Sequence, residues 1–274
     1  STDRSGDICR SYAEEYEGFR MINKENGGPS SARNAGLRNA SGEYVLFLDG
    51  DDLFHADFAK SFADILNNET DYDCILGRMS YFTDDISKAK PDSFLSHEKI
   101  RVYESGRQAF VALTSDGRWF MTGIRGLYCR QFLLDNSLWL NEEIRYGEDQ
   151  EWTIRMLSHA GKTGINSFPG YFYRENRPGS SMNSLCLQKV KDPVRVYTEW
   201  YAWCLDRPRD DVFLNAVYFE IGKRYSSLLC SSYGKIGKEE RRDYFRYIKD
   251  NRYLLKCTDD RKVKFINVFS RILG

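Results

Sequence analysis

Apolar positions in the first 180 or so residues fall into short clustered runs separated by stretches of helical spacing. The run Tyr44-Val45-Leu46-Phe47-Leu48 is aromatic, branched and short, which suits a buried strand better than a helix. Further strands are predicted over 19–23, 74–81, 123–128 and 171–173. Between them, Ile8, Tyr12, Ala13 and Tyr16 line one face of a helix entered at Ser1-Thr2-Asp3. The Gly-rich turn Asn26-Gly27-Gly28-Pro29 opens a short helix over 30–39, which Ser41-Gly42 stops. Helices are also expected over 57–66 and 106–113, and from Glu148 onward, where Trp152, Ile154, Met156 and Leu157 supply the apolar side chains. Strands alternating with helices predict an α/β fold with a mostly parallel sheet and flanking helices. Residues 83–100 read as a polar loop. From Leu185 the strand signals stop, and 187–206, 212–232, 238–254 and 261–273 read as four helices. The expected division is an α/β domain over 1–184 and a helical region over 185–274.

Composition narrows the class. A hydrophobic content of 41% with 15% aromatics supports a substantial core and excludes disorder. The formal charge is zero, but residues 1–184 carry a net −7 and residues 185–274 a net +7. The basic region either meets anions such as phospholipid headgroups or is a set of solvated helix faces. Seven scattered cysteines without a C-x-x-C pair, and only three histidines, fit free thiols in a reducing compartment and argue against zinc. No apolar stretch approaches the roughly 20 residues that span a bilayer, and the amino terminus lacks a leader pattern. The expected location is cytoplasmic, with peripheral contact at the inner face of the membrane. Val263, Phe265, Ile266, Phe269, Ile272 and Leu273, beside Lys262, Lys264 and Arg271, form either an interfacial helix or a face packed on the catalytic body or a second subunit. Nothing in the chain suggests a nucleic-acid partner.

The chemistry concentrates where the strand at 44–48 empties into Asp49-Gly50-Asp51-Asp52. Ligands of open α/β sheets bind at the carboxyl ends of strands. Three carboxylates a few residues apart repel one another unless a cation relieves them, and hard oxygen donors suit Mg²⁺ or Mn²⁺ bound together with a phosphate. The competing reading is that the acids cap the next helix, and Asp52 alone could do that. A second acidic cluster, Glu148-Asp149-Gln150-Glu151, opens a helix, where acids are also favoured by the helix dipole. Arg33 and Asn34, on the helix after the Gly-rich turn, face either phosphate and the acidic cluster or a structural ion pair. Arg174 and Arg177 lie in a polar stretch that reads as a lid over phosphates or as a solvated loop.

Taken in order, Ser1-Thr2-Asp3, Asn26-Gly27-Gly28, Ser31-Ala32-Arg33-Asn34-Ala35-Gly36, Gly42-Glu43-Tyr44 and Asp49-Gly50-Asp51-Asp52 resemble the signature of glycosyltransferase family 2. Glu148-Asp149 and the segment 174–182 are similar, more loosely, to the acceptor-side motifs of that family. The resemblance implies a GT-A fold and an inverting transfer from a nucleotide-sugar, with UDP the family's habitual nucleotide, to a glycan or lipid-linked saccharide of a surface polysaccharide. It implies that Asp51, with Asp49, holds a divalent Mn²⁺ or Mg²⁺ ion. Asp3, Arg33, Asp49, Arg174 and Arg177 then serve the donor, Glu148 faces the acceptor and Asp149 is the catalytic base. Asp52 is either an outer support or a helix cap. The family's first strand, helix and second strand have no counterpart before Ser1, which leads us to expect that this sequence is part of a longer protein. A non-catalytic relative that binds a glycan or a partner is the alternative.

Overall fold

The computed structural model describes residues 3–68, 71–91, 100–116, 125–175, 186–207, 211–232 and 235–257. Helices α1 (Ser5–Glu15) and α2 (Gly28–Asn39) precede β1 (Tyr44–Leu46). Strand β2 (Leu53–Phe54) leads through α3 (Phe58–Leu66) to β3 (Cys74–Leu76) and β4 (Met79–Phe82). Next come β5 (Lys90–Pro91), β6 (Ile100–Tyr103), α4 (Gly106–Ser115), β7 (Leu127–Cys129) and α5 (Arg130–Asp135). Helix α6 (Glu148–His159), β8 (Thr163–Asn166) and β9 (Tyr171–Arg174) follow. Three helices then run in sequence, α7 (Gln188–Leu205), α8 (Val212–Ser232) and α9 (Arg241–Asp250), before a 3-10 turn at Arg252–Cys257.

The larger sheet has the order β1-β7-β3-β8-β6 and the smaller β2-β9-β4-β5. Side chains alternate across the larger sheet with the two-residue period of strands. Val45, Cys74, Leu76 and Tyr128 face a core shared with α4, α6, α7 and α8. Ile75 and Leu127 face the other way, onto Phe58, Phe62 and Ile65 of α3. The first of these cores runs without a break from Leu37 and Val45 to Leu254 and Leu255, so the carboxyl-terminal helices share the interior of the α/β part.

The α/β class holds, with a mixed sheet in place of a mostly parallel one. Only β3 with β8 and β4 with β9 pair in parallel among the described strands. Strand β7 enters antiparallel between β1 and β3 and separates two strands that α3 would otherwise leave as parallel neighbours. The expected strand at 74–81 is two strands in two sheets. The chain bends at Gly77, where a Cβ would collide with the Arg125 carbonyl, and Arg78 donates to Ser167 O (3.0 Å) at the crossing. Residues 19–23 form no strand, whereas β6 and β8 are strands that the polar composition of their surroundings concealed. The helix at 261–273 and Arg177 fall outside the described residues. No described helix is long and apolar enough to cross a membrane.

Candidate active site

Strand β1 ends at Leu46; the next residue, Phe47, is buried at 7% exposure, and two residues later the chain reaches Asp49. Phe47 packs edge-on against Trp152 of α6 (6.0 Å), and Trp152 lies three residues beyond Asp149. This buried aromatic contact brings the end of β1 and the start of α6 together. Trp152 is fixed in turn by donating its indole N–H to Leu138 O (2.7 Å), the partner a buried indole needs.

The three acids after β1 do different work. Asp52 N donates to Asp49 O (3.0 Å), closing a tight turn. The Asp52 carboxylate is 5% exposed and joins β9, accepting the Tyr171 hydroxyl (2.7 Å) and the Arg174 amide (2.9 Å). It does not cap α3, whose amino end at Asp57 has no side-chain cap. Burial raises the pKa of Asp52, partly offset by these two hydrogen bonds. Asp49 and Asp51 remain partly open to solvent.

Arg33 crosses from α2 into the site. Its guanidinium donates to both oxygens of Asp49 (2.7 and 3.0 Å) and to Glu148 Oε1 (3.1 Å). Its side chain is only 10% exposed. Burial opposes its charge, but the two carboxylates outweigh that cost and its pKa is raised. The Arg33 Nε is buried without a partner, so one donor of the fork stays unused inside the site. Arg33 forms an ion pair with an aspartate of the acidic cluster, the pairing that the structural reading described. Asn34 instead points into the protein, exchanging hydrogen bonds with Leu140 O and N (both 2.9 Å) as a strand residue would.

At α6, Gly147 has φ +87°, a left-handed conformation that side-chain-bearing residues rarely adopt, and it turns Glu148 and Asp149 into the first helical turn. Asp149 accepts the Gln150 amide (2.8 Å). Burial, then the adjacent charge of Glu148, push its carboxyl up to about 7. Tyr173 of β9 lies near both groups: burial raises its pKa, and Asp52, Asp51, Asp49 and Asp149 all add to the rise. Sequence reasoning passed over Tyr171 and Tyr173 because the pattern marked them only as strand residues.

Arg174 closes β9 and is not in a loop. Its Nε donates to Asp51 O (3.0 Å) and its guanidinium lies over the Phe82 ring (4.8 Å). Asp3 is exposed, and hydrogen bonds from the Ser5 hydroxyl and then from the Ser5 amide (3.0 Å) lower its pKa. Among the described residues no three Asp, Glu, His or Cys side chains converge as a complete metal site. Asp49 and Asp51 nevertheless fit a divalent ion shared with a diphosphate, since Mg²⁺ and Mn²⁺ sites of that kind take one or two carboxylates and complete the shell with phosphate and water.

The mixed sheet flanked by helices, with an acidic turn at a strand end, is arranged as in the GT-A fold. Solved structures share it. Staphylococcus aureus TarS 1–349 in complex with UDP-GlcNAc superposes with a TM-score of 0.65 at 18% identity, covering 93% of this chain and 70% of that one. GalNAc-T7 with UDP, GalNAc and Mn²⁺ gives 0.51 at 15%, covering 92% and 47%. Residues 1–133 match the family described as Glycosyl transferase family 2. Bacillus subtilis EpsJ, described as an uncharacterized glycosyltransferase, is 31% identical over 64% of this chain and 50% of its own length. The poly(ribitol-phosphate) β-N-acetylglucosaminyltransferase TarS of S. aureus is 26% identical over 67% of this chain and 30% of its own. The chain therefore spans half or less of these two relatives.

Proposed function

We propose that the chain is the catalytic part of an inverting glycosyltransferase, with residues 1–184 as the GT-A domain and 185–274 as its helical region. It takes a nucleotide-sugar, a UDP-sugar by analogy with TarS, and builds a bacterial surface polymer. The acceptor is a saccharide or lipid-linked saccharide, reached by peripheral contact with the inner membrane face. The observation that carries this reading is Arg33, which joins Asp49 just after β1 to Glu148 at the start of α6 in one partly buried ion triad. The donor-side and acceptor-side acids thereby border a single site.

In this reading Asp49 and Asp51, with Arg33 and Arg174 behind them, receive the donor diphosphate. A bound Mn²⁺ or Mg²⁺ supplies Lewis-acid neutralisation of the departing diphosphate's charge. Asp149 takes the proton of the acceptor hydroxyl while its oxygen bonds to the anomeric carbon and the bond to the diphosphate oxygen breaks. A carboxyl held near 7 is half ionised at neutral pH and is a stronger base than an ordinary aspartate. Arg177 and Asp3 complete the donor side by family analogy. A thermal-shift panel of UDP-, GDP- and dTDP-sugars with Mn²⁺, followed by product analysis with the stabilising donor, tests the proposal. Stabilisation by a UDP-sugar that vanishes in Asp51→Ala is expected. Equal stabilisation of the wild type and that variant contradicts the assignment.

A further inference from the structure

The turn that aims Asp149 is gripped from outside the α/β part. Asp192 of α7 is 5% exposed. Its Oδ2 accepts the amides of Arg145 (3.0 Å) and Tyr146 (3.2 Å), and its Oδ1 accepts the Gln188 side-chain amide. Pro193, the next residue, faces Gly147 across a space that would just admit a Cβ, which would lie 3.6 Å from its ring. One turn on, the Tyr197 hydroxyl donates to Gln150 Oε1 (3.1 Å). Residues 192–197 therefore bracket Glu148 and Asp149 with hydrogen bonds on either side, at 145–146 and at 150.

These contacts need one another. The Arg145 and Tyr146 amides precede a helix and have no place in its ladder, and Asp192 accepts both. A carboxylate does so with charge-assisted bonds, and Gln188 keeps it from rotating away. Behind Tyr197, Arg224 of α8 is anchored by the fully buried Glu220 (3.1 Å).

We propose that Asp192 is a positioning residue for the base: through the 145–147 turn, α7 sets where the Asp149 carboxylate stands. The inference rests on reading Asp149 as the base. A displacement of about 1 Å in such a group can cost 100-fold in rate, so a small relaxation of the turn is enough to matter.

The test compares Asp192→Ala, Asp192→Asn and Tyr197→Phe in the same chain, by hydrogen–deuterium exchange and by UDP release from UDP-GlcNAc with Mn²⁺. In Asp192→Ala the Arg145 and Tyr146 amides should exchange at least tenfold faster while β1 and β3 keep their protection. Its kcat should fall about 10- to 100-fold with the donor KM within about twofold. Asp192→Asn, which keeps an acceptor oxygen, should restore protection and bring kcat back to within about threefold of wild type. A merely structural role would instead raise exchange across the whole sheet. Unchanged exchange at 145–146, or a normal kcat beside raised exchange, overturns the proposal. Should Asp192→Ala fail to fold, Tyr197→Phe decides: an unaltered kcat counts against the inference, and a fall with constant KM supports it. Asp149→Asn separates the two readings. If that variant turns over normally, the base assignment fails; if it is inactive while Asp192→Ala is normal, only the positioning role fails.

Discussion

The acids after β1 and those at the head of α6 are chemically alike, yet their surroundings divide them. After β1 one carboxylate, Asp52, is buried and spent on tying the turn to β9, while Asp49 and Asp51 stay partly open. At α6, Glu148 is 12% exposed and held by Arg33, and its neighbour Asp149 is pushed up to about 7. Open carboxylates suit a cation and a diphosphate, which arrive from solvent. An enclosed one suits proton transfer, because desolvation raises its basicity. On the proposed reading, environment rather than residue type separates these roles.

The largest expected effect comes from removing the enclosed acid. Asp149→Asn should lower kcat by about 10²- to 10⁴-fold with little change in donor KM, the range for loss of a general base; initial rates at saturating acceptor measure it. The same carboxyl sets a pH dependence. Below about 7, kcat should fall tenfold per pH unit, and it should level off above. Stability runs the other way. Burial makes the folded protein hold this proton more tightly than the unfolded chain does. The contribution is therefore full below the unfolded value of 3.8, declines as pH rises, and is gone once pH passes about 7. Urea titrations of the wild type and Asp149→Asn at several pH values expose the difference.

Breaking the bridge between the two groups should come next. Arg33→Met leaves Glu148 and Asp49 facing each other without their shared cation. Stranding a buried ionic partner costs about 3–5 kcal/mol, and the 33% exposure of Asp49 should reduce that to about 2 kcal/mol. The variant should also raise donor KM and lower kcat together, because both groups lose their register. A normal KM would show that the donor side stands without Arg33. The smallest effect is expected at Tyr171→Phe, which removes one hydrogen bond to the buried Asp52. It should cost about 1–2 kcal/mol in denaturant unfolding. Its donor KM should rise while kcat changes little, since the altered contact lies on the donor side only.

Much of this was legible before any coordinates. The strand at 44–48 and the acids that close it are contiguous, so their meaning survives without tertiary information. The helices at 188–205 and 212–232 were legible from the loss of strand signals after Leu185 and from the breaks that separate them. Strands β6 and β8 were missed because one lies beside a polar stretch and the other spans only four residues, Thr163–Asn166, which include Gly164 and Asn166. Arg174 was assigned to a loop because the polar residues after it hid its pairing with Phe82 in β4. The basic composition of residues 185–274 drew attention to membranes and away from Asp192, an ordinary acid within a helix.

What the residues determined alone is the inventory and its periodicity: an acidic strand end, an acidic helix start, and apolar faces that must be buried. What only folding decided is which acid is structural, which cation spans the two acidic groups and what frames Asp149. Arg33 meets Glu148 across 115 positions, Asp52 meets Tyr171 across 119, and Asp192 meets the Arg145 amide across 47. Local pattern encodes the spacing along one element. It carries no record of which distant side chain will fill a buried hydrogen-bonding vacancy, because that depends on how the elements pack.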